Sequence, residues 1–191
     1  VTTTRQDDRK KAALARRREA EAWTLSVGLP LDAPLASVGV VIEHPGLSQC
    51  NFFLFRSMNA FSLESLGVDV TLFVLQQTHP IGLLTFPMMD SHALASWGHP
   101  LIAVGTTACI EALRSRASRI VHYVFEADFL DRRDLATAEV QRTFRDPRVT
   151  VMTRNEDYRR LIETEFGRPV RLPFVHDCEF DQMVRVLLGG E

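Results

Sequence analysis

Between Ser37 and Leu188 the period of the apolar residues changes repeatedly. Short runs rich in β-branched residues alternate with longer stretches of helical spacing. Residues 37–42 (SVGVVI) are apolar almost throughout, the pattern of a strand buried on both faces of a parallel sheet. The next stretch, HPGLSQ at 44–49, punctuates it. Residues 50–66 then predict a helix, with Phe52, Phe53, Phe55, Met58, Ala60, Phe61 and Leu63 as its apolar members. Ser48 suits its N-cap and Gly67 its stop. VDVTLFVL (68–75) predicts a second strand. LLTFPMM (83–89) is apolar, but Pro87 restricts it to a sheet edge. Further strands are expected at 100–106, 119–125, 148–153 and 169–174. Helices are expected at 107–116, 134–144, 155–166 and 180–188, with Asp134 as a cap and Gly167 as a stop.

Strands alternating with helices imply right-handed crossovers and a sheet covered on both faces. The expected fold is therefore α/β, with a doubly wound, mostly parallel, Rossmann-like sheet of six or seven strands. That domain spans residues 37–191. Ahead of it, residues 5–22 carry seven basic and four acidic side chains and favour a charged helix with a narrow apolar stripe. Residues 28–36 hold two prolines and read as a linker. Residues 1–36 are thus expected to form a helical extension and linker.

Composition narrows the function classes. The chain has 191 residues, 46% hydrophobic and 24% charged, enough to build a core of ordinary size. The formal charge of −2 gives no global argument for nucleic acid or an anionic membrane. No apolar run approaches the roughly 18 residues of a transmembrane helix, and the N-terminus lacks a signal-peptide pattern. Cys50, Cys109 and Cys178 are scattered, without a C-x-x-C pair. They read as small buried hydrophobes in a reducing, cytoplasmic setting. The six histidines show no metal-ligand spacing, so no metal is expected.

In such sheets, ligands bind beyond the carboxyl ends of the strands, where strand order reverses. This rule selects loops. The loop after the first strand holds His44, Gly46 and Ser48 and leads into a helix. It has one glycine, so it is not a dinucleotide fingerprint, and no P-loop or G-x-S-x-G elbow occurs elsewhere. Thr106 and Thr107 follow the 100–106 strand and could bind a polar ligand or simply cap a helix. Glu126 and Asp128 follow the 119–125 strand at spacing i, i+2. In extended chain both carboxylates would share a face and could orient hydroxyls or act as a base; they could equally be solvated loop charges. Arg154 with Asn155, and His176 with Asp177, fall on the same expected edge.

The order of these pieces resembles the N-terminal Rossmann-like domain of GT-B glycosyltransferases of the rhamnosyltransferase type. LESLGVDVTLFV (63–74) is similar to the family's G-H-x-V-T-L strand, with Val68 where His is common. PLIAVGTTACIEAL (100–113) is similar to its strand, Thr-rich turn and helix. RIVHYVFEADFL (119–130) is similar to its Y-F-V-Q-D-x-E segment, with Phe125 or Glu126 in place of Gln. Residues 148–180 are similar to the stretch that ends the domain.

The resemblance implies a domain that holds a sugar acceptor, with Glu126 and Asp128 as catalytic candidates. His44, Gly46, Ser48, Thr106, Thr107, Arg154, Asn155, His176 and Asp177 would then contact substrate. A nucleotide-sugar donor is implied as co-substrate, gripped by a second domain for which residues 181–191 leave no room. This chain would be the acceptor-side part of a fragment or split enzyme, cytoplasmic or peripheral at a membrane face. No tightly bound cofactor is implied. The alternative is a non-catalytic interaction or assembly subunit derived from such an enzyme, with the charged helix as an arm.

Overall fold

The computed structural model describes residues 36–64, 67–77, 82–131 and 137–189. The expected charged helix at 5–22 and nearly all of the linker lie outside these residues, as does Asp134. The described chain is α/β, with a six-stranded, all-parallel sheet flanked by helices.

The strands are β1 (Ala36–Ile42), β2 (Val68–Val74), β3 (Met88–Asp90), β4 (Leu101–Val104), β5 (Ile120–Val124) and β6 (Val149–Thr153). Their order across the sheet is β3-β2-β1-β4-β5-β6. The helices are α1 (Gln49–Glu64), α2 (Thr106–Ala112), α3 (Asp128–Asp131), α4 (Thr137–Arg145), α5 (Glu156–Phe166) and α6 (Phe180–Leu188). A 3-10 helix, Ser91–Ser96, links β3 to β4; the sequence pattern does not announce it.

Alternation along the strands divides the core in two. Val38, Val40, Ile42, Leu72, Ile102, Val121, Tyr123 and Met152 face α1 and α6. Val41, Phe73, Leu101, Ala103, Ile120, Val124 and Val151 face the opposite layer, which includes α2, α4 and α5. Both faces are apolar, so the strands read as continuous hydrophobic runs. Gly39 of β1 marks the tightest point. A Cβ there would come within 2.5 Å of Leu101, 2.9 Å of Phe73 and 3.0 Å of the Trp97 indole. Trp97, just past the 3-10 helix, packs edge-on against Phe73 because Gly39 leaves it space.

Two expected strands are corrected. The segment at 83–89 pairs only from Met88 onward, because Pro87 has no N–H and contributes a carbonyl alone, which accepts from the Leu72 N–H. The segment at 169–174 is not a strand. It makes one isolated bridge, Val170 with Val151, and then turns through a cis Leu172–Pro173 bond. The remaining boundaries shift by a few residues. α2, for example, stops at Ala112 rather than Arg116. At α5 the expected stop is in place, Gly167 ending the helix with φ 63°, while Asn155, expected as its first residue, is instead its N-cap, Oδ1 accepting from the Tyr158 N–H.

Arg148 ties together several turns at the amino end of the sheet. The Arg148 guanidinium donates to the carbonyls of Leu113, Ser115 and Ala117 at 2.9, 3.4 and 3.2 Å. It also pairs with Asp146 at 3.1 Å. Those hydrogen bonds hold the Asp146 carboxyl below its usual pKa, against a smaller effect of burial.

A buried histidine lies on the α4 side of the sheet. His122 of β5 is fully buried against Phe144, which stacks on Phe166 and meets Phe129 edge-on. Neither of its ring nitrogens makes a hydrogen bond of good geometry. Burial pushes its pKa down to about 4, outweighing Asp128 and the Thr143 backbone, which act the other way.

Candidate functional site

Strand order reverses between β1 and β4, since β1 leads outward to β2 while β4 leads to β5 on the other side. At their carboxyl ends lies an open cleft of about 130 Å³. Ile42, Glu43, His44, Ser48, Cys50, Asn51, Val104, Gly105, Phe125, Glu126 and Asp128 line it. It occupies the place where doubly wound sheets take their ligands.

The β1–α1 loop forms one wall. Ser48 caps α1 as its residue type suggests, its hydroxyl accepting from the Asn51 N–H at 3.1 Å. Asn51 was not singled out by the sequence pattern, yet it shapes the loop. Its side-chain amide, nearly buried, donates to the carbonyls of His44 and Gly46, both at 2.8 Å. The Gly46 N–H donates to His44 Nδ1 at 3.2 Å, so a neutral His44 carries its proton on Nε2. A polar side chain in the first turn of a predicted helix, just after a Pro-Gly loop, was the available signal.

The opposite wall comes from the chain leaving β5. The expected extended geometry at 126–128 does not occur: β5 ends at Val124, residues 125–126 bend, and Asp128 begins α3. The two carboxylates nevertheless reach the same cleft with different surroundings. Asp128 Oδ2 accepts from the Thr106 N–H at 2.8 Å, and Oδ1 from the Thr106 hydroxyl at 2.9 Å. Hydrogen bonds to a charged group are worth about 1.5–3 kcal/mol each. Asp128 therefore fixes the β4–α2 turn. Gly105, with φ 88°, permits this approach, since a Cβ would stand 3.2 Å from Asp128 Oδ2. Glu126 is exposed and lines the same cleft.

The remaining candidates divide. His44, Ser48, Glu126 and Asp128 line the cleft, and Gly46 belongs to its loop. Thr106 is fully buried and donates its hydroxyl to Asp128. Thr107 sits beside it with a buried hydroxyl that has no partner. Arg154 flanks the cleft, its guanidinium 4.3 Å from the centre of the Phe125 ring. Asn155 is occupied as the α5 cap. His176 and Asp177 are exposed and are not among the cleft-lining residues.

Cys50 also lines the cleft. Its pKa is driven well above that of an ordinary thiol, first by its hydrogen-bonding contact with Cys178, then by burial. The Glu126 charge adds to this and Arg154 opposes it. Among the described residues, no group of three or more His, Cys, Asp or Glu side chains is placed to hold a metal ion. No described helix is long and apolar enough to cross a membrane. No family model matches the chain, and neither a curated protein nor a solved structure matches it.

Proposed function

We propose that this chain is the acceptor-side domain of a GT-B-type glycosyltransferase, whose cleft at the β1–β4 reversal holds a sugar hydroxyl. The observation that carries this reading is the division of labour between the two carboxylates. Asp128 is consumed by Thr106, while Glu126 stands exposed across from His44 and Ser48. In this reading Glu126 accepts the hydrogen bond of the acceptor hydroxyl and orients it for transfer. His44 and Ser48 hold neighbouring hydroxyls, and Arg154 balances charge as the sugar–phosphate bond breaks. The nucleotide-sugar donor is held by a second domain, in the parent protein or a partner. The exposed Leu47 and Phe52 beside the cleft supply apolar surface for that domain.

The test is amide chemical-shift mapping with glucose, rhamnose, mannose and N-acetylglucosamine as probes. At least one sugar should shift the amides of Glu43–Asn51 and Phe125–Asp128. Glu126→Gln should weaken that binding by about tenfold or more, the worth of one hydrogen bond to a charged group. Shifts confined to other edges of the sheet, or none with any sugar, defeat the reading. A second reading, a non-catalytic assembly module, draws on the same exposed Leu47 and Phe52. It expects light scattering to report an oligomer and the sugars to cause no shift.

A further inference from the structure

Cys50 and Cys178 lie 128 positions apart in the chain, yet their Sγ atoms are 3.7 Å apart. This is contact between two thiols. Cys178 also directs its S–H toward the Cys50 carbonyl oxygen, again at 3.7 Å. Cys50 stands in the first turn of α1, and Cys178 just precedes α6.

The segment carrying Cys178 is fixed from several sides. The Val175 N–H donates to the Thr153 carbonyl at 3.0 Å, and the Tyr123 hydroxyl donates to the Val175 carbonyl. The Phe180 N–H donates to the Ser57 hydroxyl of α1 at 2.8 Å. Cys178 itself has φ 53°, a left-handed conformation that residues with a Cβ seldom adopt. The surrounding bonds impose that conformation, and with it the direction of the side chain.

From this arrangement we infer that Cys50 and Cys178 form a site of reversible oxidation, at which a peroxide joins them as a disulfide on the wall of the cleft. Cys50 lines the cleft and is half-buried, so it meets the peroxide first. Its thiolate attacks one peroxide oxygen, the O–O bond breaks, and hydroxide leaves, becoming water with one proton. The product is a sulfenic acid on Cys50. The Cys178 sulfur, already in contact, gives up its proton and attacks the Cys50 sulfur. The S–O bond breaks, the S–S bond forms, and a second water leaves. Two thiols and one hydrogen peroxide thus give one disulfide and two waters; the sulfurs lose two electrons and the peroxide gains them.

Closing the bond requires the sulfurs to approach from 3.7 Å to about 2.05 Å. Rotation of the two side chains about their Cα–Cβ bonds, with movement at the first turn of α1, supplies this and shifts the cleft wall. The contact and burial that keep Cys50 protonated make the reaction slow at neutral pH and faster in alkali. Cys109 provides an internal control. It is fully buried in the opposite core layer, with the Thr143 carbonyl 3.9 Å from its sulfur. The inference stands apart from the glycosyl-transfer reading.

The experiment treats the full chain with hydrogen peroxide at mildly alkaline pH. The remaining thiols are then alkylated, and the protein is digested without reductant for mass spectrometry. The expected result is a fall from three thiols to one, with a cross-linked peptide pair joining Cys50 to Cys178 and Cys109 still alkylated. Dithiothreitol should restore all three thiols. Cys50→Ser and Cys178→Ser should each abolish the cross-link. Three intact thiols, a Cys50 sulfinic acid without a cross-link, or a disulfide involving Cys109 or a second molecule would each overturn the inference.

Discussion

Acidification loads a proton onto His122 in the unfolded chain well before it does so in the folded one. Unfolded, the imidazole titrates at its ordinary 6.5; folded, burial against Phe144 pushes it down to about 4. Between those values the unfolded state binds more protons, so stability falls as the pH drops. The contribution is fully present above pH 6.5, erodes on the way down, and is gone below pH 4. Each pKa unit is about 1.4 kcal/mol, so the whole loss is about 3 kcal/mol, with about 2 kcal/mol already lost at pH 5. That is a large part of a typical domain's stability. The carboxyls of Asp146 and Glu156 are held low by their arginine partners, so their contributions disappear mainly below pH 4.5. A comparison of pH 8 with pH 5 therefore isolates the histidine. Urea unfolding at the two values should show the loss in the wild type and about 2 kcal/mol less of it in His122→Leu. At pH 8 that variant should be close to wild type or more stable, because it removes a buried polar ring whose nitrogens lack partners. Parallel pH profiles for the two proteins would refute the reasoning. So would an imidazole NMR titration of the folded protein with its midpoint near 6.5.

Gly39→Ala should cost about 1–3 kcal/mol in urea unfolding, because its Cβ overlaps Leu101 and Phe73. Indole fluorescence should report the displaced Trp97. Asp128→Ala should cost about 2–4 kcal/mol, since it leaves the Thr106 N–H and hydroxyl without their acceptor. Amide exchange in α2 should quicken in that variant; unchanged protection would argue against the capping role. Gly167→Ala should cost about 1 kcal/mol, the penalty of a Cβ in the left-handed α5 terminus, with the loss confined to thermal stability.

The sheet was legible because its central strands are buried on both faces. In β1, β4 and β5, and in the edge strand β6 as well, no polar alternation interrupts the apolar run, apart from Ser37, His122, Thr150 and Thr153. Legibility failed where burial failed. β3 is three residues with both methionines partly exposed, and the 169–174 segment follows β6 for a single bridge. The cleft was located by its edge, since strand ends can be read from strand runs. Its inner construction could not be. Asn51 acts through two carbonyls behind it in the chain, and its role depends on how tightly the Pro-Gly loop folds back. The pairing of Glu126 with Asp128 was foreseen on an extended geometry that the bend at 125–126 removes. The contact of Cys50 with Cys178 needs the whole crossover from β6 to α6, which no local pattern encodes.

Arg148 gives the two ends of the sheet unequal freedom to change. At the amino end, one guanidinium joins the turn after α2 to the start of β6, so replacing Arg148 alone frees three main-chain carbonyls and the Asp146 carboxylate at once. At the carboxyl end, the β1–α1 loop is stapled within itself by Asn51, whereas Asp128 ties the β4–α2 turn to the chain leaving β5. A loop that carries its own fastening can be exchanged without disturbing its neighbours. A designer seeking a new ligand for this fold would therefore graft at the β1–α1 wall of the cleft and leave the Arg148 end untouched.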